Sequence, residues 1–437
     1  MRIFPTKRGW KRLAIALAIL LSIALIANGF MAWRTKMQID AEVAAIRAAG
    51  HPATISDLAP QPIPAEKNAA AILESLRPRI DEFAKEHAHF LDRTPLGQQY
   101  SADRERIAPS AEQVAAIQAI VEKYPDLESG IAAAAACDQY ASVADFTLGH
   151  RETLEDLLDR AQPFRSLARF CDWKMEVLIA EGQPQQAGEL GLQMLHLAQL
   201  RNKEPFLVSY LVNLAVRGIV CSRLAEAFEG SAMTAGLHSR IDKELSRQDN
   251  PDGLLQSLIT ERALAGTYTL SNGLLEPDNS LWIRMVGWPV KRWYLGALQS
   301  FEPMFALAAE PWYVVNREPP AKSGSNHSTG GGVLADLLQP ALQAGLSAQA
   351  RNLVALRALR IANALAKYRA EHGHEAAGLA DLQLPEESTL DPFSGKPLLL
   401  KHTDDGWLIY SVGTNRTDDG GNFTDQKDHG LGPRKNP

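Results

Sequence analysis

The pattern of apolar and polar positions divides the chain into three unequal stretches. The first, residues 13–33, reads LAIALAILLSIALIANGFMAW and carries no charge. A helix of that length reaches about 30 Å, the thickness of a bilayer's hydrocarbon core. From residue 34 to residue 320, apolar residues recur at three- and four-residue spacing, the period of amphipathic helices. Near the C-terminus the period changes. KPLLLKH and GWLIYSV are short runs of strand character, and TDDG between them is a turn signal, so a β-hairpin is expected there.

Punctuation sets the boundaries within the helical stretch. Gly50 stops the first helix, and Pro52, Pro60, Pro62 and Pro64 make an extended connector after it. NAAAILESLRPRIDEFAKEHAHFL reads as one helix kinked at Pro78, and DRTPLGQQYSADRERIAPS reads as a break. Ser110, followed by Glu112 and Gln113, opens another helix in N-cap style. Residues 126–246 read as helices joined by short breaks, which favours antiparallel neighbours. The apolar run from Pro205 to Cys221 contains Asn213 and Arg217, so it reads as a buried core helix and not a second span.

Residues 281–316 hold four of the eight tryptophans: Trp282, Trp288, Trp293 and Trp312. Two readings are open for them. They pack a helical core, or they form an aromatic surface toward membrane, partner or ligand. Residues 321–332, AKSGSNHSTGGG, read as a flexible Gly/Ser linker. A long helix follows from residue 333, broken at Pro340 and ended by Gly373.

Charge sharpens the first stretch. Arg2, Lys7, Arg8, Lys11 and Arg12 precede it with no acid among them, so the N-terminus is expected in the cytoplasm by the positive-inside rule. The apolar run is longer than that of a cleaved signal peptide and the candidate cleavage sites near its end are poor, with Leu25 before Ala27 and Phe30 before Ala32, so an uncleaved anchor is expected. Seven of the 45 basic residues lie before Met37, whereas all 51 acidic residues follow it, leaving the remainder at net −13. Such a body has no electrostatic reason to bind nucleic acid.

The C-terminal stretch carries a set of ordered motifs. A helix with Leu365 and Tyr368 ends at Gly373, and Leu379 and Leu382 follow. Then come Asp391-Pro392, Gly395-Lys396-Pro397, and a strand closing on Tyr410-Ser411-Val412-Gly413, before an acidic, glycine-rich loop. From about residue 350 to residue 430 this order resembles the C-terminal part of type II secretion major pseudopilins. The rest of the chain resembles uncharacterised bacterial proteins with one membrane helix and a helical exterior region. IPAEKNAAAILESL is the fragment that suggests them most. The chain departs from pseudopilins in lacking a prepilin peptidase site, so assembly into a pilus is not expected.

The resemblance implies a calcium site in the closing loop, GTNRTDDGGNFTDQKDHG. Asn415, Asp418, Asp419, Asp425 and Asp428 are the candidate ligands. Hard oxygens on a glycine-rich loop suit calcium, although Asn415 supplies less charge than an Asp. A solvated acidic loop is the competing reading.

Other chemistry finds little support. There is no H-E-x-x-H, C-x-x-C or G-x-S-x-G. His87, His89, His372 and His374 read as surface histidines. Cys137, Cys171 and Cys221 read as buried apolar residues, with no basis for choosing a disulfide pair.

The expected architecture is therefore mainly α. A cytoplasmic basic segment (1–12) precedes a signal anchor (13–33), an α-helical exterior domain (34–320) and the linker (321–332). A long helix plus a small α+β module (333–437) completes the chain. The expected role is a non-enzymatic structural or interaction protein of the bacterial envelope. It would sit in the cytoplasmic membrane with its bulk on the periplasmic side and have a protein partner there. A ligand-binding sensor and an enzyme with an unrecognised site in the helical domain are the alternatives.

Overall fold

The computed structural model describes residues 7–103, 107–148, 150–204, 206–229, 233–271, 287–316, 332–424 and 427–434. Trp282, Asp425 and the expected linker, apart from Gly332, lie outside them. The described chain is mainly helical, with one small antiparallel sheet at its C-terminal end.

Helix α1 (Lys7–Ala48) is a single 42-residue rod ended by Gly50, whose φ of 77° only glycine adopts readily. Its apolar half is exposed on every side from Trp10 to Ala27, whereas Asn28 and Ala32 are half-buried and Thr35 is buried. Its last turns pack: Ile39 and Ile46 are buried. The body then folds through α2 (Ala69–Ser75), α3 (Arg77–Arg93), α4 (Pro95–Asp103), α5 (Ala111–Val121), α6 (Pro125–Ala135), α7 (His150–Ala180), α8 (Pro184–Leu200), α9 (Leu207–Glu229), α10 (Ala235–Gln248) and α11 (Gly253–Ser271). After these come α12 (Gly287–Gln299), α13 (Phe301–Ala308), α14 (Trp312–Val315) and the 41-residue α15 (Gly332–His372).

Helix α9 is the hub. It packs against α7, α8 and α15, and Val216, Val220, Cys221 and Leu224 on it are fully enclosed. One large cluster of buried residues joins the body, α15 and the C-terminal sheet, beside two smaller ones around Phe146 and around Tyr294. The apolar run around Asn213 and Arg217 is accordingly a core helix, with both polar side chains buried. Arg201 donates to Asn213 Oδ1 at 3.1 Å, so the amide is satisfied inside the core.

An aromatic box lies between α3, α4 and α7. Trp173 is fully buried and meets Phe83, Phe90 and Tyr100 edge-on, with His87 tilted at 4.4 Å. His87 is thus a core residue and not a surface one. Its partners come from a helix far along the chain, which no local pattern reveals.

The helical boundaries differ from expectation in three places. The kink expected at Pro78 is a junction of two helices at Leu76, with Pro78 in the first turn of α3, where its missing N–H leaves no bond unmade. The break expected after Asp92 contains α4: Thr94 accepts from Gly97 N at 3.0 Å and Pro95 opens the helix. Pro340 does not break α15, since one lost hydrogen bond is small beside the rest of the ladder and Leu342 and Leu346 are buried directly after it. Ser110 behaves as expected, exchanging hydrogen bonds with Gln113 in a capping box.

The expected hairpin is present as β1 (Leu399–Thr403) and β2 (Gly406–Ser411), paired from Leu399 opposite Tyr410 to Thr403 opposite Gly406. A third strand, β3 (His429–Leu431), joins β2 on its other edge and was not foreseen. Three residues are too few to show alternation. The sheet lies on α15, with Ile409 and Leu431 buried in the common core.

Candidate functional site

The C-terminal module is organised by two carboxylates. Asp391 is buried and its Oδ1 accepts from Phe393 N at 2.8 Å and from Ser411 Oγ at 2.7 Å, while Oδ2 accepts from Ser394 Oγ at 2.7 Å. Ser411 Oγ in turn accepts from Gly413 N at 3.0 Å. The Asp-Pro turn and the Tyr-Ser-x-Gly strand end are therefore parts of one hydrogen-bonded unit. A Cβ on Gly413, at φ 62°, would collide with the carbonyl of Lys427, so glycine is required where the strand enters the closing loop.

Asp428 organises the loop itself. It is fully buried, and its carboxylate accepts from the backbone N–H of Gly421 at 2.8 Å, Asn422 at 3.1 Å and Asp419 at 3.5 Å. Asp418 is exposed and accepts from Tyr410 Oη at 3.0 Å and Gly420 N at 2.9 Å. Burial, followed by this bond to Asp418, pushes the Tyr410 phenol up to about 12. Asn415 accepts from Thr417 N at 2.9 Å and donates to Asp419 Oδ2 at 2.7 Å.

Four of the five sequence-predicted ligands thus share one loop in two groups. Asn415 and Asp419 touch each other, and Asp428 holds the backbone beneath Asp419; Asp425 lies outside the described residues. Among the described residues, no cluster of three or more His, Cys, Asp or Glu side chains converges. Asp428 already spends its oxygens on amides. Asn415 and Asp418 lie at the exposed edge of the loop, with Asp419 half-buried beside Asn415.

A second feature faces the opposite side of the hairpin. A cleft of about 250 Å³ opens between α9, α15 and the β1–β2 turn, lined by Phe228, Glu229, Arg369, His402, Asp405 and Trp407. Trp407 Nε1 donates to Glu375 at 2.9 Å and Arg369 donates to the carbonyl of Phe228 at 3.0 Å, which fixes two of its walls. Glu229 is exposed to the cleft. The protein packed around it and, next, the charge of Glu226 push its carboxyl up to about 7. Sequence reasoning missed Glu229, because its surroundings come from a hairpin far along the chain.

The module is tied to the body by ions. Arg434, in the final described segment, binds Glu176 of α7 and Glu226 of α9. Both carboxylates also hold Arg223, at 2.7 and 2.6 Å, and Asp172 completes the set at 3.0 Å. Tyr100 donates to Glu176 at 2.8 Å. Burial opposes the charge on Arg223, but the three carboxylates outweigh it and hold its pKa well above the ordinary value. Burial raises Glu226 despite its two cationic neighbours. On α15, Arg357 grips Asp249 through 2.8 and 2.9 Å bonds and donates to the carbonyl of Leu390 at 2.8 Å.

The remaining candidates are dispersed. His89, His372 and His374 are exposed. Cys137, Cys171 and Cys221 are buried and unbridged, and burial pushes the Cys221 thiol up to about 12. A thiol held that far above neutrality is a poor nucleophile. Trp312 is buried against Phe393 at 4.8 Å, Trp288 is half-buried and Trp293 is exposed, so the tryptophan-rich stretch serves both core and surface.

No family model, curated protein or solved structure matches the chain.

Proposed function

We propose that the chain is a non-enzymatic interaction protein of the bacterial envelope, held in the cytoplasmic membrane by α1 with its N-terminus inside and its body outside. The carrying observation is the contrast along α1. From Leu13 to Ala27 the helix is exposed on all faces, and it begins to pack at Asn28, near the end of its uncharged segment. Burying that apolar surface in lipid removes it from water at about 25 cal/mol per Å². The full chain is expected to stay with membranes after alkaline carbonate extraction, and a Leu20→Arg, Ile23→Arg variant is expected to be released. Release of the unaltered chain would overturn the anchor.

The pseudopilin-like module presents its closing loop to a protein partner, with calcium held by Asn415, Asp418 and Asp419 over the backbone that Asp428 fixes. A ligand that binds only the folded state raises stability by RT ln(1 + [L]/Kd). A calcium-dependent rise in melting temperature that Asp419→Ala abolishes supports this part, and an unchanged melt in calcium and chelator removes it. The cleft beside Glu229 favours a second reading, a ligand-sensing module, because a wall residue that titrates near neutrality gives a bound cation leverage over its charge.

A further inference from the structure

Helix α12 runs beside α1 in the same direction. Trp288 N donates to Asn28 Oδ1 at 3.4 Å, and further along both helices Tyr294, Leu295 and Leu298 pack with Ile39 and Val43. The two contacts bracket Arg292 and Trp293, which therefore lie alongside α1 between Asn28 and Ile39, about the stretch from Ala32 to Met37. That is the boundary where the apolar segment ends. Asn28 lies five residues inside it, roughly 7–8 Å deeper.

The outward side of α12 has the composition of a membrane interface. Pro289, Arg292 and Trp293 are exposed and share one helix face, while Tyr294, Leu295 and Leu298 face the packed side. Trp293 keeps 40% of its surface exposed, and among the described residues it is the tryptophan outside α1 left most open. Lys291 is half-buried on the packed side, whereas Arg292 is exposed and forms no ion pair with a described carboxylate, although the body as a whole is acidic. An amphipathic ring at the headgroup level beside cationic side chains is the arrangement that interfaces select.

We propose that α12 is a second, interfacial membrane contact. Trp293 lies in the headgroup layer near Trp33, and Arg292 engages the phosphates of anionic lipids, so that the body is held at a fixed tilt and does not swing freely on α1. The inference rests on the anchoring role of α1.

The test uses the full chain reconstituted in vesicles of zwitterionic lipid, with and without a fraction of phosphatidylglycerol. Nitroxides are placed singly at Trp293→Cys, Leu20→Cys and Phe423→Cys, and their accessibility to oxygen and to a water-soluble nickel chelate is measured. Position 20 is expected to report the bilayer interior and position 423 water. Position 293 is expected to report an intermediate depth that increases with anionic lipid, an increase that Arg292→Gln abolishes. Position 293 as water-exposed as 423, with 20 still in lipid, would overturn the interfacial contact and leave the anchor standing. A depth at 293 indifferent to lipid charge would overturn the phosphate contact. Position 20 in water would overturn the anchor and this inference together.

Discussion

The helical body and the C-terminal module are held together by different means. In the body, large side chains exclude water: Trp173 alone is enclosed by Phe83, Phe90, Tyr100 and His87. In the module, the strands are three to six residues long and carboxylates do the organising, with Asp391 and Asp428 each collecting backbone and hydroxyl donors. A core held by area resists the loss of a single polar contact. A loop held by one carboxylate has its shape set by that residue, which suits a recognition surface more than a load on stability.

The largest test of that contrast is Trp173→Ala. Emptying the aromatic box is expected to cost about 3–5 kcal/mol and lower the midpoint of the whole transition in urea. Asp391→Ala should cost less, about 1–3 kcal/mol, because it leaves buried donors unpaired without opening a large cavity. Its signature is spatial: amide exchange should accelerate around Phe393 and Gly413 while the amides near Trp173 keep their protection. Equal acceleration in both regions would dissolve the distinction between them.

Glu229 provides the smallest and most selective test. Its carboxyl is raised in the folded state, so ionising it opposes folding. That contribution to stability is fully present below about 4.5, the ordinary value, and is lost as pH rises through about 7. Glu229→Gln removes the dependence. The variant is expected to melt with the unaltered chain at pH 4 and modestly above it at pH 8, since solvent at the cleft mouth screens the effect. A pH-independent difference would mean that Glu229 does not titrate against the fold.

What the sequence made legible follows from range. The apolar segment of α1, the Ser110–Gln113 capping box, the stop at Gly373 and the β1–β2 hairpin are all written in neighbouring residues. The Asp-Pro and Tyr-Ser-x-Gly motifs were visible as a pair, but their link, one hydrogen bond from Ser411 to Asp391, was not. The ion cluster joining Arg434 to Glu176 spans 258 positions, and no periodicity encodes such a pairing. Helix α4 is not legible in the expected break, because Thr94-Pro95 reads as a breaker and is also an N-cap followed by a first-turn proline. His87 was misplaced for the same reason as Glu229: its environment is built by distant helices.

The central claim is that the body stands outside the cytoplasmic membrane on α1. Its most direct test is labelling of a cysteine introduced at the exposed hairpin position Lys401 in the full chain, since the three native thiols are buried. A membrane-impermeant maleimide applied to cells with a permeabilised outer membrane is expected to label it at once. Labelling only after the cytoplasmic membrane is opened would place the body inside the cell and contradict the account.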